Sequence, residues 1–192
     1  AITAKAKGAD VVMFEKGAYA GGTTLVSGGG AWLPNNPLMQ KDGLADPKDW
    51  ALKYMTRYSL PHLYAPNDAQ FGLSDDDYAL FSRYYDNSAE MAQFLEDQGA
   101  ITWHYGDGFG PHFDQAQVDY MEELPENKAP DHRTLHPTSK EGTRGGGGDM
   151  IGGYTAWAEK NGLPVLLNHR VENVILNSKS EVIGVEVSIN EA

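Results

Sequence analysis

Cysteine is absent from the 192 residues. That excludes disulfides and every thiolate metal site, and leaves the redox compartment unmarked. Long apolar runs are missing too: nothing approaches the ~20 residues needed to span a bilayer, and no signal-peptide pattern opens the chain. Basic charge is scarce, with 15 Lys and Arg against 27 Asp and Glu and a net charge of −12. No basic stripe exists to follow a nucleic-acid backbone or to dock on anionic lipid. These absences predict an acidic, cytoplasmic protein with no transmembrane segment and no nucleic-acid partner. Apolar content of 41% suits one globular domain with a real core.

Glycine, by contrast, is abundant, and residues 14–37 read "FEKGAYAGGTTLVSGGGAWLPNNP". Each glycine costs roughly 0.5–1 kcal/mol of backbone entropy relative to alanine. Either this loop is simply flexible, or something bulky and charged lies against bare backbone.

Periodicity gives an α/β order. "AITAKAK" reads as a helix with Gly8 at its C′ position. "DVVMFE" (10–15) reads as a buried parallel strand. In "DPKDWALKYMTRYSL", Asp46 is placed to cap a helix and Pro47 to open it. Residues 74–99 form the clearest helix: Ser74 and Asp77 resemble a capping box, and Gly99 stops it. Residues 100–148 carry Gly, Pro, His and Asp with little periodicity, and read as a long, partly ordered excursion. A helix from about Asp149 to Asn161, a strand and a hairpin turning in "NSKS" complete the chain. Ile183, Val185, Val187 and Ile189 alternate with Gly184, Glu186 and Ser188, which predicts a half-buried strand. A helix feeding a strand at the start is the second half of a βαβ unit. The expectation is a fragment of one domain: 1–36 a strand and glycine loop, 37–148 a helical and irregular insertion, 149–192 helix, strand and hairpin.

Glu15 ends its strand, where an acid in dinucleotide-binding units accepts hydrogen bonds from ribose hydroxyls. "GGTT" (21–24) sets two glycines beside two hydroxyls, a composition that can hold a pyrophosphate without a cationic side chain. "SGGG" (27–30) would let a flat ring approach the backbone. The competing reading of either pair alone is an ordinary turn.

The same stretch resembles the segment after the second strand in the fumarate reductase and 3-ketosteroid dehydrogenase superfamily of flavoproteins, in its E-K, G-G-[ST]-[ST] and S-G-G order. Trp32, Pro34, Asn35 and Asn36 resemble the 3-ketosteroid Δ1-dehydrogenase branch. "DYMEELPENKAPDHRTLHP" (119–137) is similar to that branch's D-Y-x-x-E-x-P and G-R-x-[IL]-x-P stretch, with His132 where Gly is usual and "ENK" in place of glycines. The resemblance implies a partial Rossmann-like FAD-binding domain lacking its first phosphate-loop unit. It implies Glu15 and Lys16 at the adenosine ribose, and Gly21, Gly22, Thr23 and Thr24 at the pyrophosphate. Ser27, Gly28 and Gly29 would meet the flavin, and Val171 the adenine. FAD would serve hydride transfer at a carbon–carbon bond beside a carbonyl, on a small hydrophobic, steroid-like ketone. The alternatives are a fumarate reductase-like protein reducing an unsaturated acid and, from another class, a non-flavin nucleotide-binding module.

Tyr120 is the candidate substrate-site tyrosine; a loop tyrosine with a wet hydroxyl is the competing reading. The main catalytic residues are expected downstream of residue 192. No metal is expected: His132 and His136 stand at i, i+4 but are bracketed by Pro130 and Pro137, with no H-E-x-x-H pattern. His104 and His112 lie among Tyr105, Asp107 and Asp114, a mix open to a metal, a proton relay or a solvated loop. Arg144 suits either an anionic group near the flavin or a surface charge.

Overall fold

The computed structural model describes residues 1–106, 119–121, 123–128 and 132–189. It is a mixed α/β chain. α1 (Ile2–Ala6) leads into β1 (Met13–Phe14), then α2 (Gly22–Leu25), β2 (Ala31–Trp32) and α3 (Pro37–Lys41). Two longer helices follow, α4 (Lys48–Ser59) and α5 (Asp75–Asp97), then β3 (Trp103–Tyr105), β4 (Thr134–Pro137) and α6 (Gly147–Lys160). β5 (Val165–Leu166), β6 (His169–Leu176) and β7 (Val182–Ile189) close the order.

Helix ends follow local chemistry. Gly8 has φ +87°, and its N–H and that of Ala9 close back onto Lys5 and Ala4. Ser74 accepts the Asp77 N–H at the start of α5, whose first turn holds three acids at the positive end of the dipole. α6 begins at Gly147, two residues before the expected start; the Asp149 carboxylate accepts the Gly146 N–H at 2.8 Å and fixes that end. The expected Asp46 cap does not form. Pro47 is the N-cap of α4 and has no polar side chain to cap with, while the Asp46 carboxylate is turned inward to a buried arginine.

The sheets are small. β1 runs parallel to β5, with Met13 opposite Val165. β2, β4 and β3 form an antiparallel sheet in that order, and β6 and β7 form the hairpin. The antiparallel sheet corrects the irregular reading of 100–148: β3 and β4 are three and four residues long, too short to show a period, and β4 is buried along its whole length. Burial of β1 and β7 is also corrected. Met13 is 40% and Ile183 65% exposed, since among the described residues β1 pairs with β5 alone and β7 with β6 alone.

The core sits between α5, α6 and the β2–β4–β3 sheet. Leu33, Ala92, Ile101, Trp103 and Leu135 form one cluster; Ala100, Trp157, Ala158 and Leu163 form the next. Both tryptophans satisfy their N–H groups, on Ala92 O and Gln98 O. Among the described residues no helix is long and apolar enough to cross a membrane.

Candidate functional site

The glycine loop packs on a second glycine run. A Cβ on Gly29 would stand 2.5 Å from the Gly146 carbonyl carbon, and one on Gly147 would stand 1.7 Å from Thr24 O. Gly147 N–H donates to Ser27 O at 2.9 Å, and Ser27 Oγ accepts the Gly29 N–H. A Cβ on Gly21, where φ is +110°, would stand 2.8 Å from the Ile151 side chain of α6. Gly29 and Gly147 are therefore required by close backbone contact, and Gly21 by its positive φ and the Ile151 side chain. Gly22 and Gly28 differ: a Cβ would meet nothing within 4 Å at the first, and nothing nearer than Arg144 Nη2 at 3.9 Å at the second. Thr23, Thr24 and Lys16 are exposed.

At the other end of this loop Glu15 accepts the Gly17 N–H at 2.7 Å. Its backbone carbonyl accepts His169 N–H at 2.8 Å, and Gly17 O accepts Asn168 N–H. The start of β6, which carries Val171, is thus laid beside Glu15. Val171 pairs with Val187 next to a bulge, and is 43% exposed. Glu15 and the first residue of β6, His169, are thus neighbours in space, with Val171 two residues further along the strand.

Beyond Gly28 the loop opens into a cavity of about 680 Å³, with Gly28, Gly30, His136 and Arg144 on one side. The rest of the lining is largely aromatic. Tyr84, Trp32, Tyr54, Tyr58 and Tyr120 stack in a row, with successive ring centroids 6.4, 5.7, 5.9 and 6.3 Å apart. Tyr54 and Tyr58 share one face of α4 because they are four apart. Tyr84 comes from α5 and donates its hydroxyl to Trp32 O. Leu80 and Phe81 add apolar surface.

Behind this wall lies a buried ionic cluster. Arg133, fully buried, holds Asp46 with two bonds, Nε to Oδ2 at 2.9 Å and Nη2 to Oδ1 at 2.7 Å. Its Nη1 reaches Asp119 Oδ2 at 2.9 Å and Asn127 Oδ1 at 3.1 Å. The second Asp119 oxygen accepts Trp32 Nε1–H at 2.7 Å. The guanidinium also lies 5.3 Å from the ring centroids of Trp32 and Tyr54, within cation–π range. One cation serves two buried acids, so the second acid is under-compensated. Burial pushes the Asp119 carboxyl up to about 6, against the opposing pull of Arg133.

Tyr120 lies on the cavity, 73% exposed, stacked on Tyr58, with its carbonyl accepting the Tyr54 hydroxyl at 2.8 Å. Arg144 lines the cavity beside Gly28. His136 is buried with Nδ1 2.9 Å from Gly28 O, whereas His132 meets Tyr105 edge-on at 4.7 Å, so the i, i+4 pair diverges. His104 sits opposite His136 across β3 and β4; Asp107, His112 and Asp114 lie outside the described residues. Sequence motifs alone do not mark Trp32, Tyr54, Tyr58, Tyr84, Asp46 and Arg133 as site residues. The available signals were the i, i+4 tyrosines of α4 and the Asp and Arg at either end of the 119–137 stretch.

Over 137 residues the chain is 29% identical to 3-oxosteroid 1-dehydrogenase of Mycolicibacterium smegmatis, which covers 71% of this chain and 20% of that protein. It is 24% identical over 186 residues to the Shewanella frigidimarina protein named "Probable fumarate reductase Ifc3", covering 97% and 26%. The chain thus spans about a quarter or less of the length of these curated relatives. The crystal structure of a 3-ketosteroid-Δ4-(5α)-dehydrogenase from Rhodococcus jostii in complex with 4-androstene-3,17-dione shares the fold. Its TM-score is 0.72 at 24% identity, covering 98% of this chain and 38% of that one. The family model described as FAD binding domain matches residues 1–192, and the chain belongs to that family.

Proposed function

We propose that this chain forms part of a flavin-dependent dehydrogenase acting on a flat, apolar ring ketone of the 3-ketosteroid kind. The observation that carries this reading is an aromatic cavity opening directly at Gly28 and Gly30. The loop residues fit FAD, because Gly22 and Gly28 turn bare backbone outward and Gly28 adjoins Arg144. Glu15 and Lys16 would hold the ribose, Gly21 to Thr24 the pyrophosphate, Ser27, Gly28 and Gly29 the ring, and Val171 the adenine. The parallel β1–β5 pair would belong to a Rossmann-like sheet. Bound FAD supplies hydride acceptance. The chain's own residues orient: stacked rings cover one face of a planar substrate and exclude water, while the Tyr120 hydroxyl stands ready to hold or move a proton.

The expectation of a non-flavin nucleotide module is overturned by the family match. A fumarate reductase-like reading keeps one supporting feature, the Arg144 cation on the cavity wall. Against it stand the apolar lining and the Asp119 carboxylate, which disfavour a doubly charged acid. The full-length protein, assayed with a 3-ketosteroid and an artificial electron acceptor, should turn over. Turnover of an enoate with a reduced dye, and none with the ketone, would reverse the assignment.

A further inference from the structure

We propose that Tyr54 is a positioning residue, whose hydroxyl and stacked ring fix Tyr120 at the cavity. The proposal rests on the reading of that cavity as the substrate site. Tyr120 itself is exposed, so its placement depends on few contacts. Its carbonyl accepts the Tyr54 hydroxyl at 2.8 Å, a link across 66 positions of sequence. Its ring stacks on Tyr58 at 6.3 Å and 15°, and Tyr58 in turn stacks on Tyr54 at 5.9 Å. Tyr54 is itself held on its other side by Trp32 at 5.7 Å and by the Arg133 guanidinium. The residue before Tyr120 is pinned to the same guanidinium through the Asp119 carboxylate. Burial, with Asp119 adding to it, raises the Tyr54 phenol well above the ordinary tyrosine range, so the hydroxyl stays a donor. Tyr54 therefore joins the buried cluster to the exposed Tyr120, and a shift of either would be carried to the other.

Tyr54→Phe in the full-length, FAD-loaded protein removes the hydroxyl and keeps the ring. With a 3-ketosteroid and an artificial acceptor, kcat should fall about tenfold or more while KM stays within about twofold, the pattern of a lost alignment. Flavin content and melting midpoint should not change. Unchanged kcat in Tyr54→Phe would overturn the proposal, as would a loss that tracks FAD loss or a lower midpoint. If the wild-type protein turns over no ketosteroid, the functional reading fails, and hydrogen exchange decides the positioning claim. Faster exchange of the 119–128 amides in Tyr54→Phe supports it; equal exchange overturns it.

Discussion

The two walls of the cavity are built in opposite ways. The glycine side, where residues 21–30 pack on 145–148, is shaped by side chains that are missing, and its tightest approaches, Gly29 on Gly146 and Gly147 on Thr24, are backbone to backbone. The aromatic side is shaped by large side chains brought from β2, α4, α5 and the residues around 119–133, tied behind by one arginine. A loop of the first kind is specified locally, residue by residue. A wall of the second kind exists only after distant segments have met. The difference predicts that the glycine wall fails by steric overlap at single positions, and the aromatic wall fails by loss of a shared partner.

The largest effect is expected at that shared partner. Arg133→Met leaves two buried carboxylates without their cation, and should cost about 3–5 kcal/mol in urea unfolding. A loss below about 1 kcal/mol would mean that the cluster does not hold the aromatic wall. On the glycine wall, Gly147→Ala drives a Cβ into Thr24 O and should cost about 1–3 kcal/mol by overpacking. Gly28→Ala makes the internal contrast. Its Cβ would enter open space, so stability should hold while FAD affinity falls about tenfold in a titration of the full-length protein, roughly 1.4 kcal/mol. Equal affinity would remove Gly28 from the cofactor surface.

What was legible in the sequence follows the same division. The α5 helix, its Ser74 cap, the Gly99 stop and the hairpin turning at 177–180 all rest on residues close together in the chain, and all are present. The family resemblance was legible because its motifs are also short. The antiparallel β2–β4–β3 sheet was not, since β4 pairs with partners about a hundred and about thirty residues earlier and each strand is too brief for a period. Asp46 shows the conflict most plainly. Its position before Pro47 argues for a helix cap, but a buried guanidinium offers two charge-assisted bonds, and the long-range demand prevails. Asn127, in the "ENK" that replaces family glycines, is likewise taken up by Arg133.

Asp119 tests the cluster from the acid side. Burial raises its carboxyl from 3.8 to about 6, so the folded chain holds that proton more tightly than the unfolded chain does. The associated stability is present below about pH 4 and is lost as pH rises through about 6. Asn at this position does not titrate. Wild type should therefore lose ground to Asp119→Asn between about pH 4 and 7, by at most about 3 kcal/mol. Urea midpoints of both proteins across that range measure it. A difference that is flat, or that grows in favour of wild type, would show that Arg133 outweighs burial.

The smallest effect is expected at His132, where the family resemblance places a glycine. The residue has φ +72°, the left-handed region, which costs a non-glycine residue about 1 kcal/mol or more. Glycine would remove that strain but add roughly 0.5–1 kcal/mol of entropy to the unfolded chain. It would also forfeit the edge-on contact with Tyr105, worth about 0.5–1.5 kcal/mol. The terms nearly cancel, so His132→Gly should shift stability by less than about 1 kcal/mol. Because His132 O accepts the Asn36 side-chain N–H at 2.7 Å, the backbone there is held in place whichever residue occupies it. His132→Val keeps neither compensation and adds a β-branch where φ is positive, so it should cost about 2 kcal/mol or more. If valine were as well tolerated as glycine, the left-handed backbone at 132 would not be imposed by its neighbours, and the link from Asn36 to the arginine beside it would lose its anchor.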